Sequence, residues 1–329
     1  MLPVKILALG KYLPANEVSS ATLANQLGIE ESWILTNSGV SKRHWVNQES
    51  GAEMGAKALE KALKKANMDF LELDLIICAS ASYDYPIPST ACLIPVHFNQ
   101  LQAGIPCWDL DATCLSFITA LDTVSYLIAG GKYKKVAIIS SEIASKSLHI
   151  QDKETYTLFG DGAAAAIICR AEDNENASVL CAGMQTFSEG ALDTLLKAGG
   201  NKLSGRDRQI PDVDFTFQMK GRKLLRTANE KLLPFFEKLL QEAGLVKNDL
   251  DLLIPHQASK LGLLLGQKLL GLPDEKFYKN LETHGNCIAA SIPMALHDAI
   301  EAQKISRGDK VCLLGTGAGF SVGGIIFTF

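Results

Sequence analysis

The chain has 329 residues, 47% of them hydrophobic and 21% charged, which is apolar material for one large core or two modest ones, so a globular protein is the expectation. Its formal net charge of −4 excludes attraction of the whole surface to nucleic acid or anionic membrane and leaves only local basic patches to consider. No run reaches the roughly 18 to 20 uninterrupted apolar residues of a membrane span, and the eight scattered cysteines form no CxxC pair for metal or redox work; a soluble, cytoplasmic protein with reduced thiols is expected.

The opening MLPVKILALGKYLP is an apolar run broken by Gly10 and Pro14, with no cleavage-site pattern behind it, and reads as a first strand. Short β-rich runs then alternate with amphipathic stretches: LDLIICAS at 73–80, KVAIISSE at 135–142 and AAAAIICR at 163–170. That alternation predicts α/β architecture. Within it, CWDLDATCLSFITALDTVSYLIAGG carries a helical pattern from Leu115 to Ile128 that closes at Gly130 and Gly131, so Cys114 stands at a strand-to-helix turn. The positive end of a helix dipole favours thiolate, so this placement is expected to lower the pKa of the thiol. The competing reading is an ordinary buried cysteine at a helix start.

The polar AEDNENAS (171–178) marks a junction between an amino-terminal half, 1–172, and a carboxy-terminal half, 173–329. Beyond it, KAGGNKLSGRDRQIPD (197–212) lacks apolar periodicity and is long enough to be a functional loop or lid. The block MKGRKLLRTANEKL brings Arg222, Lys223 and Arg226 to roughly one helix surface, a basic patch suited to an acidic carrier protein if it is more than a solvated face. Next, DLDLLIPHQAS places Pro255 and His256 directly after a buried-strand pattern, at a strand end where α/β folds gather catalytic groups, although a lone histidine is more often structural. In ETHGNCIAASIPMALHDAI, Asn286 precedes a helix with small early residues and on its own is best explained as that helix's cap.

Two internal echoes link the halves. Asp74 in LELDLIICASAS and Asp251 in KNDLDLLIPHQAS start matching runs 177 positions apart, while Tyr133 in YKKVAIIS and Gly308 in GDKVCLLG are 175 apart. Nearly constant spacing over two separated segments predicts a duplicated α/β unit.

At this point the motifs can be joined: Cys114 in DATCLSF, His256 in PHQAS and Asn286 in HGNCIAASIP resemble, in order, the Cys-His-Asn triad of β-ketoacyl-ACP synthase III enzymes. WILTNSGVSKRH, YPIPSTACLI, FGDGAAAA and GTGAGFSVGG extend the resemblance over essentially the whole chain. It implies a thiolase fold, a duplicated αβαβα five-layered core that is normally a homodimer. It also implies an acyltransferase that loads an acyl group from an acyl-CoA or acyl-ACP onto Cys114 and condenses it, with loss of carbon dioxide, with a malonyl-thioester such as malonyl-ACP. The backbone N–H groups of Cys114 and Ala318 would form the oxyanion hole, and no metal or other cofactor would be needed. Trp33, Lys153, Ile87 and Arg222 would bind substrate, and Arg222, Lys223 and Arg226 would dock the acyl carrier protein.

Several positions depart from that family pattern. Asn37 stands where an arginine follows the tryptophan, Leu261 where an arginine follows the histidine and Lys153 for an arginine, so guanidinium contacts to the primer's CoA are weakened, while Arg222 stands for an asparagine. Ile87 replaces a bulky aromatic that is often contributed across the dimer to the acyl pocket, which predicts a primer other than acetyl and a specialised pathway. A degradative thiolase would want a cysteine in the carboxy-terminal glycine motif, but GTGAG has none and Cys312 lies in a strand-like run. A hydroxymethylglutaryl-CoA synthase-like reaction would need a pocket carboxylate, for which Asp84 is the available residue. Acyl transfer to an alcohol or amine, and an inactive acyl-carrier-binding protein, are the remaining alternatives.

Overall fold

The first apolar run becomes strand β1 (Val4–Tyr12), followed by a small ribbon of β2 (Glu17–Ser19) and β3 (Lys42–His44) that flanks helices α1 (Ser20–Leu27) and α2 (Glu31–Asn37). Helix α3 (Gly51–Ala66) leads to β4 (Leu75–Ala79), the short α4 (Ile94–His97) to β5 (Cys107–Leu110), α5 (Ser116–Ala129) to β6 (Lys135–Glu142), and α6 (Lys153–Tyr156) to β7 (Gly162–Arg170). The carboxy-terminal part runs β8 (Ser178–Thr186), β9 (Thr194–Leu196), β10 (Phe217–Met219), α7 (Gly221–Glu242), β11 (Leu252–Pro255), α8 (Lys260–Leu270), α9 (Leu281–His284), α10 (Ser291–Glu301), β12 (Lys310–Gly317) and β13 (Ser321–Thr328). This computed structural model describes residues 1–206 and 209–329. Of the loop expected at 197–212, Asp207 and Arg208 therefore lie outside the described residues, while 197–206 are turns and bends.

The strands pair into two large sheets of matching design. One has the order β1-β7-β6-β4-β5, the other β8-β13-β12-β11. In the first, β4 and β6 are parallel while β6–β7 and β7–β1 are antiparallel; in the second, β11 and β12 are parallel while β12–β13 and β13–β8 are antiparallel. The echoes in the sequence are the starts of the equivalent parallel pairs. Asp74 accepts the backbone N–H groups of Lys134 and Lys135 at 2.8 and 2.9 Å, and Asp251 accepts that of Lys310 at 2.8 Å, which pins the register at the same point of each sheet.

Five layers result. Helix α3 covers the outer face of the first sheet, where Leu59 and Ala62 pack on Ile76, Ala137 and Ala165. Helices α5 and α10 lie between the sheets, with Leu121, Val124 and Leu296 against Ile77, Ile138 and Leu313. Helices α7 and α8 cover the second sheet, with Phe236, Leu239 and Leu263 on Leu253, Cys312 and Val322. Strands covered on both faces must be apolar at every position, which is why KVAII and AAAAII read as unbroken runs. Each fully buried aliphatic side chain there contributes about 1.5–3 kcal/mol. Among the described residues no helix is long and apolar enough to cross a membrane.

Candidate active site

The Cys114 turn is tighter than the sequence pattern suggests. Thr113 has a φ of +54°, and the 3-10 turn Thr113–Leu115 precedes α5, which starts one residue later than expected. Asp111 Oδ1 accepts the N–H of Thr113 at 2.7 Å, and Ser116 Oγ accepts the N–H of Ala112 at 2.9 Å while donating to the Thr113 carbonyl at 2.7 Å. A left-handed conformation at a β-branched residue costs about 1–3 kcal/mol and persists here because these three bonds enforce it.

Strand β12 passes close beneath this elbow. A Cβ at Gly315 would stand 2.9 Å from Cβ of His256, and one at Gly317 would stand 2.6 Å from Oγ1 of Thr113. Glycine at these two positions lets the strand pass close to the elbow, so that the backbone N–H groups of Ala318 and Cys114 favour the thiolate. Burial nevertheless pushes the Cys114 thiol up to about 12, the negative charge of Glu142 adds to the rise, and the two backbone N–H groups only partly offset them. The expected lowering by the helix terminus is thus overturned: loss of water outweighs it.

His256 follows β11, its N–H donating to the Leu314 carbonyl at 2.8 Å. The ring is buried, Nδ1 has no hydrogen-bond partner among the described residues, and burial pushes the pKa down to about 4. At neutral pH it is an uncharged imidazole. Asn286 follows α9 and is also buried; its Nδ2 donates to the Ala258 carbonyl at 3.1 Å and its Oδ1 accepts the N–H of Ile288 at 2.9 Å. The capping reading is corrected: α10 has Ala290 as its N-cap with no side-chain cap bond, and Asn286 Oδ1 instead closes the turn ahead of the 3-10 turn Ile288–Ala290. This leaves one amide hydrogen free to face the cavity.

Asn286 sits in a second copy of the Cys114 elbow, 175 positions on. Ile288 has a φ of +48°, as Thr113 has +54°, and Ser291 Oγ accepts the N–H of Cys287 at 2.9 Å, as Ser116 does for Ala112. The equivalent sequence signal was present in ATCLSFITAL and CIAASIPMAL, which share serine, alanine and leucine in step. A further residue was missed altogether. Glu142, quoted only as the end of a strand, is fully buried and accepts the N–H of Ala81 at 2.7 Å, the N–H of Ser82 at 3.0 Å and the Ser82 hydroxyl at 2.6 Å, with the Ala289 N–H as a further donor. Burial pushes its carboxyl up to about 7 against those donors. A charged residue ending an otherwise buried strand was the available clue.

Cys114, His256, Asn286 and Ala318 all line one cavity of about 970 Å³. The expected substrate-binding residues divide around it. Arg222 is in the wall, as are Asn37 and Leu261, but Trp33 and Lys153 are not. Trp33 packs against Val18, Leu23, Ala24 and Ile34, and Lys153 is exposed at the start of α6, so in the single chain neither faces the cavity. Ile87 is 88% exposed and also points away from this chain's cavity. At the mouth, Lys223 pairs with Asp193 at 2.8 Å and Arg226 with Glu230 at 3.2 Å, while Arg222 has no ion-pair partner among the described residues. Asp84 accepts the N–H groups of Gly51 and Ala52 at 2.7 and 2.8 Å, capping α3, so it is engaged and supplies no free carboxylate. Cys312 is buried in the core.

Comparison with known proteins agrees with this geometry. Residues 108–190 match the family model for 3-oxoacyl-[acyl-carrier-protein (ACP)] synthase III, and residues 240–329 match the model for its C terminal region. The β-ketoacyl-[acyl-carrier-protein] synthase III of Aquifex aeolicus (strain VF5) is 35% identical over 326 residues, covering 99% of both chains. That of Clostridium tetani (strain Massachusetts / E88) is 34% identical over 327 residues, covering 97% of this chain and 96% of its own. Among solved structures, the Aquifex aeolicus VF5 3-oxoacyl-[acyl-carrier-protein] synthase III has a TM-score of 0.89 at 32% identity, covering 99% of this chain and 100% of that one. The Pseudomonas aeruginosa PAO1 enzyme of the same name has a TM-score of 0.89 at 26% identity, covering 99% and 98%. Similarity that runs through both sheets and both elbows places this chain in the β-ketoacyl-ACP synthase III family, within the thiolase superfamily.

Proposed function

We propose that the protein joins an acyl group from an acyl-CoA to malonyl-ACP by decarboxylative Claisen condensation, with Cys114 as nucleophile. The observation that carries this is the meeting of a thiol, a neutral imidazole and a primary amide in one cavity, with the Ala318 N–H at the sulfur. Cys114 attacks the thioester carbonyl, and the N–H groups of Cys114 and Ala318 hydrogen-bond the oxygen as it gains charge. The C–S bond to CoA breaks, the CoA sulfur takes up the thiol proton, and acyl-Cys114 remains.

Malonyl-ACP then enters, and its thioester oxygen accepts hydrogen bonds from His256 and from Asn286 Nδ2. The malonyl C–C bond breaks, carbon dioxide leaves with the carboxylate oxygens, and the electron pair becomes an enolate stabilised by those two donors. Its carbon attacks acyl-Cys114, the thiolate leaves, and β-ketoacyl-ACP is formed. Side chains and backbone carry every step. A pKa of about 4 makes His256 a hydrogen-bond donor and a poor proton acceptor at neutral pH, which favours enolate stabilisation over activation of an alcohol or amine. An inactive carrier-binding protein would have no use for this complete set. Neither alternative gains support, and the Aquifex aeolicus and Clostridium tetani relatives carry the general synthase III name.

Arg222, Lys223 and Arg226 at the start of α7 are the proposed docking surface for the carrier protein, with Arg222 the only one of the three not engaged in an ion pair among the described residues. The exposed Tyr83, Tyr85 and Ile87 are the proposed contact with a second copy of the chain, which would bring Ile87 to the partner's acyl pocket. Intact-protein mass spectrometry of wild type and Cys114→Ala with acyl-CoA, followed by malonyl-ACP, tests the reading. Wild type should carry the acyl mass and release it as a carrier-bound product two carbons longer. Equal labelling of both proteins would sink it.

A further inference from the structure

Gln257 stands between two residues of the cavity wall, His256 and Ala258, yet is not itself in that wall. It is fully buried, and all four of its hydrogen bonds go to backbone groups. Nε2 donates to the carbonyls of Pro255 at 2.8 Å and Tyr278 at 3.4 Å, while Oε1 accepts the N–H groups of Asn280 at 3.1 Å and Leu281 at 3.2 Å. The amide's donors and lone pairs are all used. Pro255 ends β11, Tyr278 lies beside that strand with its N–H on the Leu253 carbonyl at 3.0 Å, and Asn280 and Leu281 open α9.

The helix held in this way leads to Asn286. As a single turn, Leu281–His284, α9 is about 6 Å long and has little cohesion of its own. Its first N–H groups need outside acceptors. Asn280, at the N-cap position, makes no side-chain cap and donates its amide to Asp298 at 2.9 Å instead, so Oε1 of Gln257 takes over that task. Beyond the other end of α9, the Asn286 amide bonds the carbonyl of Ala258, the residue after Gln257. A closed circuit results, from His256 to Gln257, across to α9, along α9 to Asn286 and back to Ala258. An apolar residue of similar size at 257 would fill the space but leave two N–H groups and two carbonyls without these partners.

Resting on the reading of His256 and Asn286 as the enolate donors, we propose that Gln257 is a positioning residue for condensation. It holds the histidine turn and α9 as one unit, so that the two donors converge on a single oxygen. It touches no substrate, and acylation, the work of the Cys114 elbow and Ala318, does not depend on it.

The test follows acylation of Cys114 by intact mass, and condensation with malonyl-ACP, in wild type, Gln257→Met and Gln257→Glu, with circular dichroism as a check of folding. Methionine fills the space without hydrogen bonds. It should leave acylation and KM for malonyl-ACP within about threefold of wild type while kcat for condensation falls roughly tenfold to a hundredfold, the loss that a misplacement of about 1 Å produces. Glutamate keeps an acceptor for the α9 N–H groups and, once protonated, a donor for one of the two carbonyls, which disfavour its charged form. Its kcat relative to wild type should therefore climb as pH falls, whereas that of Gln257→Met stays flat. Acylation and condensation falling by equal factors in folded Gln257→Met would overturn the inference. So would a wild-type kcat in that variant, or a Gln257→Glu defect that does not ease at low pH. Undiminished condensation by Asn286→Ala would instead overturn the donor reading beneath it.

Discussion

Replacing Glu142 with glutamine should change how stability depends on pH. In the folded protein burial raises this carboxyl to about 7 from an ordinary 4.5, so between those values the folded state binds a proton that the unfolded state has lost. Wild-type stability conferred by Glu142 is therefore fully present below pH 4.5 and is lost as pH rises through 7, by about 3 kcal/mol once both states are ionised. Glutamine does not titrate. It can accept from some of the Ala81, Ser82 and Ala289 donors through its oxygen, but its NH₂ confronts the others, a loss of about 1–3 kcal/mol at every pH. Denaturant titrations of both proteins in half-unit steps from pH 5 to 8 should show wild type more stable than Glu142→Gln at pH 5. The difference should shrink, and can change sign, by pH 8. Taking the difference cancels the other titrating groups. A difference that stays flat, or grows with pH, would mean that the four donors win over desolvation and that the carboxylate is ionised throughout.

Two further substitutions separate position from chemistry. Asn286→Ala should leave acylation of Cys114 within a fewfold of wild type while condensation with malonyl-ACP slows by about 10²–10³, as loss of one oxyanion donor does; mass labelling and product formation measured on the same sample distinguish the two steps. Asp298 on α10 is pushed up by burial, but hydrogen bonds from His297 and Lys11 outweigh that and hold it well below the usual carboxylate range. Asp298→Asn should therefore cost about 2–4 kcal/mol near pH 7, since it strands Lys11, and the difference from wild type should fade in denaturation curves only as the pH drops below about 3.8, through the depressed pKa.

What could be seen in the sequence was whatever chemistry leaves in local order. Cys114, His256 and Asn286 each carry a motif at a strand end or helix start, and the Asp74 and Asp251 echoes expose the duplication because both aspartates perform the same local task. Properties set by distant parts of the chain were hidden. The direction of the Cys114 shift depends on burial and on Glu142, which lies 28 positions away. Whether Trp33 faces a ligand or a core depends on Val18, Leu23 and Ala24 packing over it. Asp84 looked available until the start of α3 arrived to bond it. In the sequence Gln257 is only the neighbour of His256, because the N–H groups it accepts, at Asn280 and Leu281, lie 23 and 24 positions on.

The paired elbows explain why two different reactions can share one cavity. Each half ends a strand or short helix in the same strained turn, held by a side-chain oxygen at its first residue, Asp111 or Asn286, and by a serine five positions on, Ser116 or Ser291. The turn fixes the placement of its first residue and its fourth. In the amino-terminal copy the fourth is Cys114 and in the carboxy-terminal copy it is Ala289, while the first is a carboxylate in one and an amide in the other. On the proposed mechanism, a carboxylate at 286 would repel the enolate that the Asn286 amide is proposed to stabilise. In that mechanism the nucleophile belongs to one copy and the enolate donor to the other, each carried by the same backbone device. Both elbows lead directly into α5 and α10, the helices packed between the two sheets, so each is anchored in the central layer of the core.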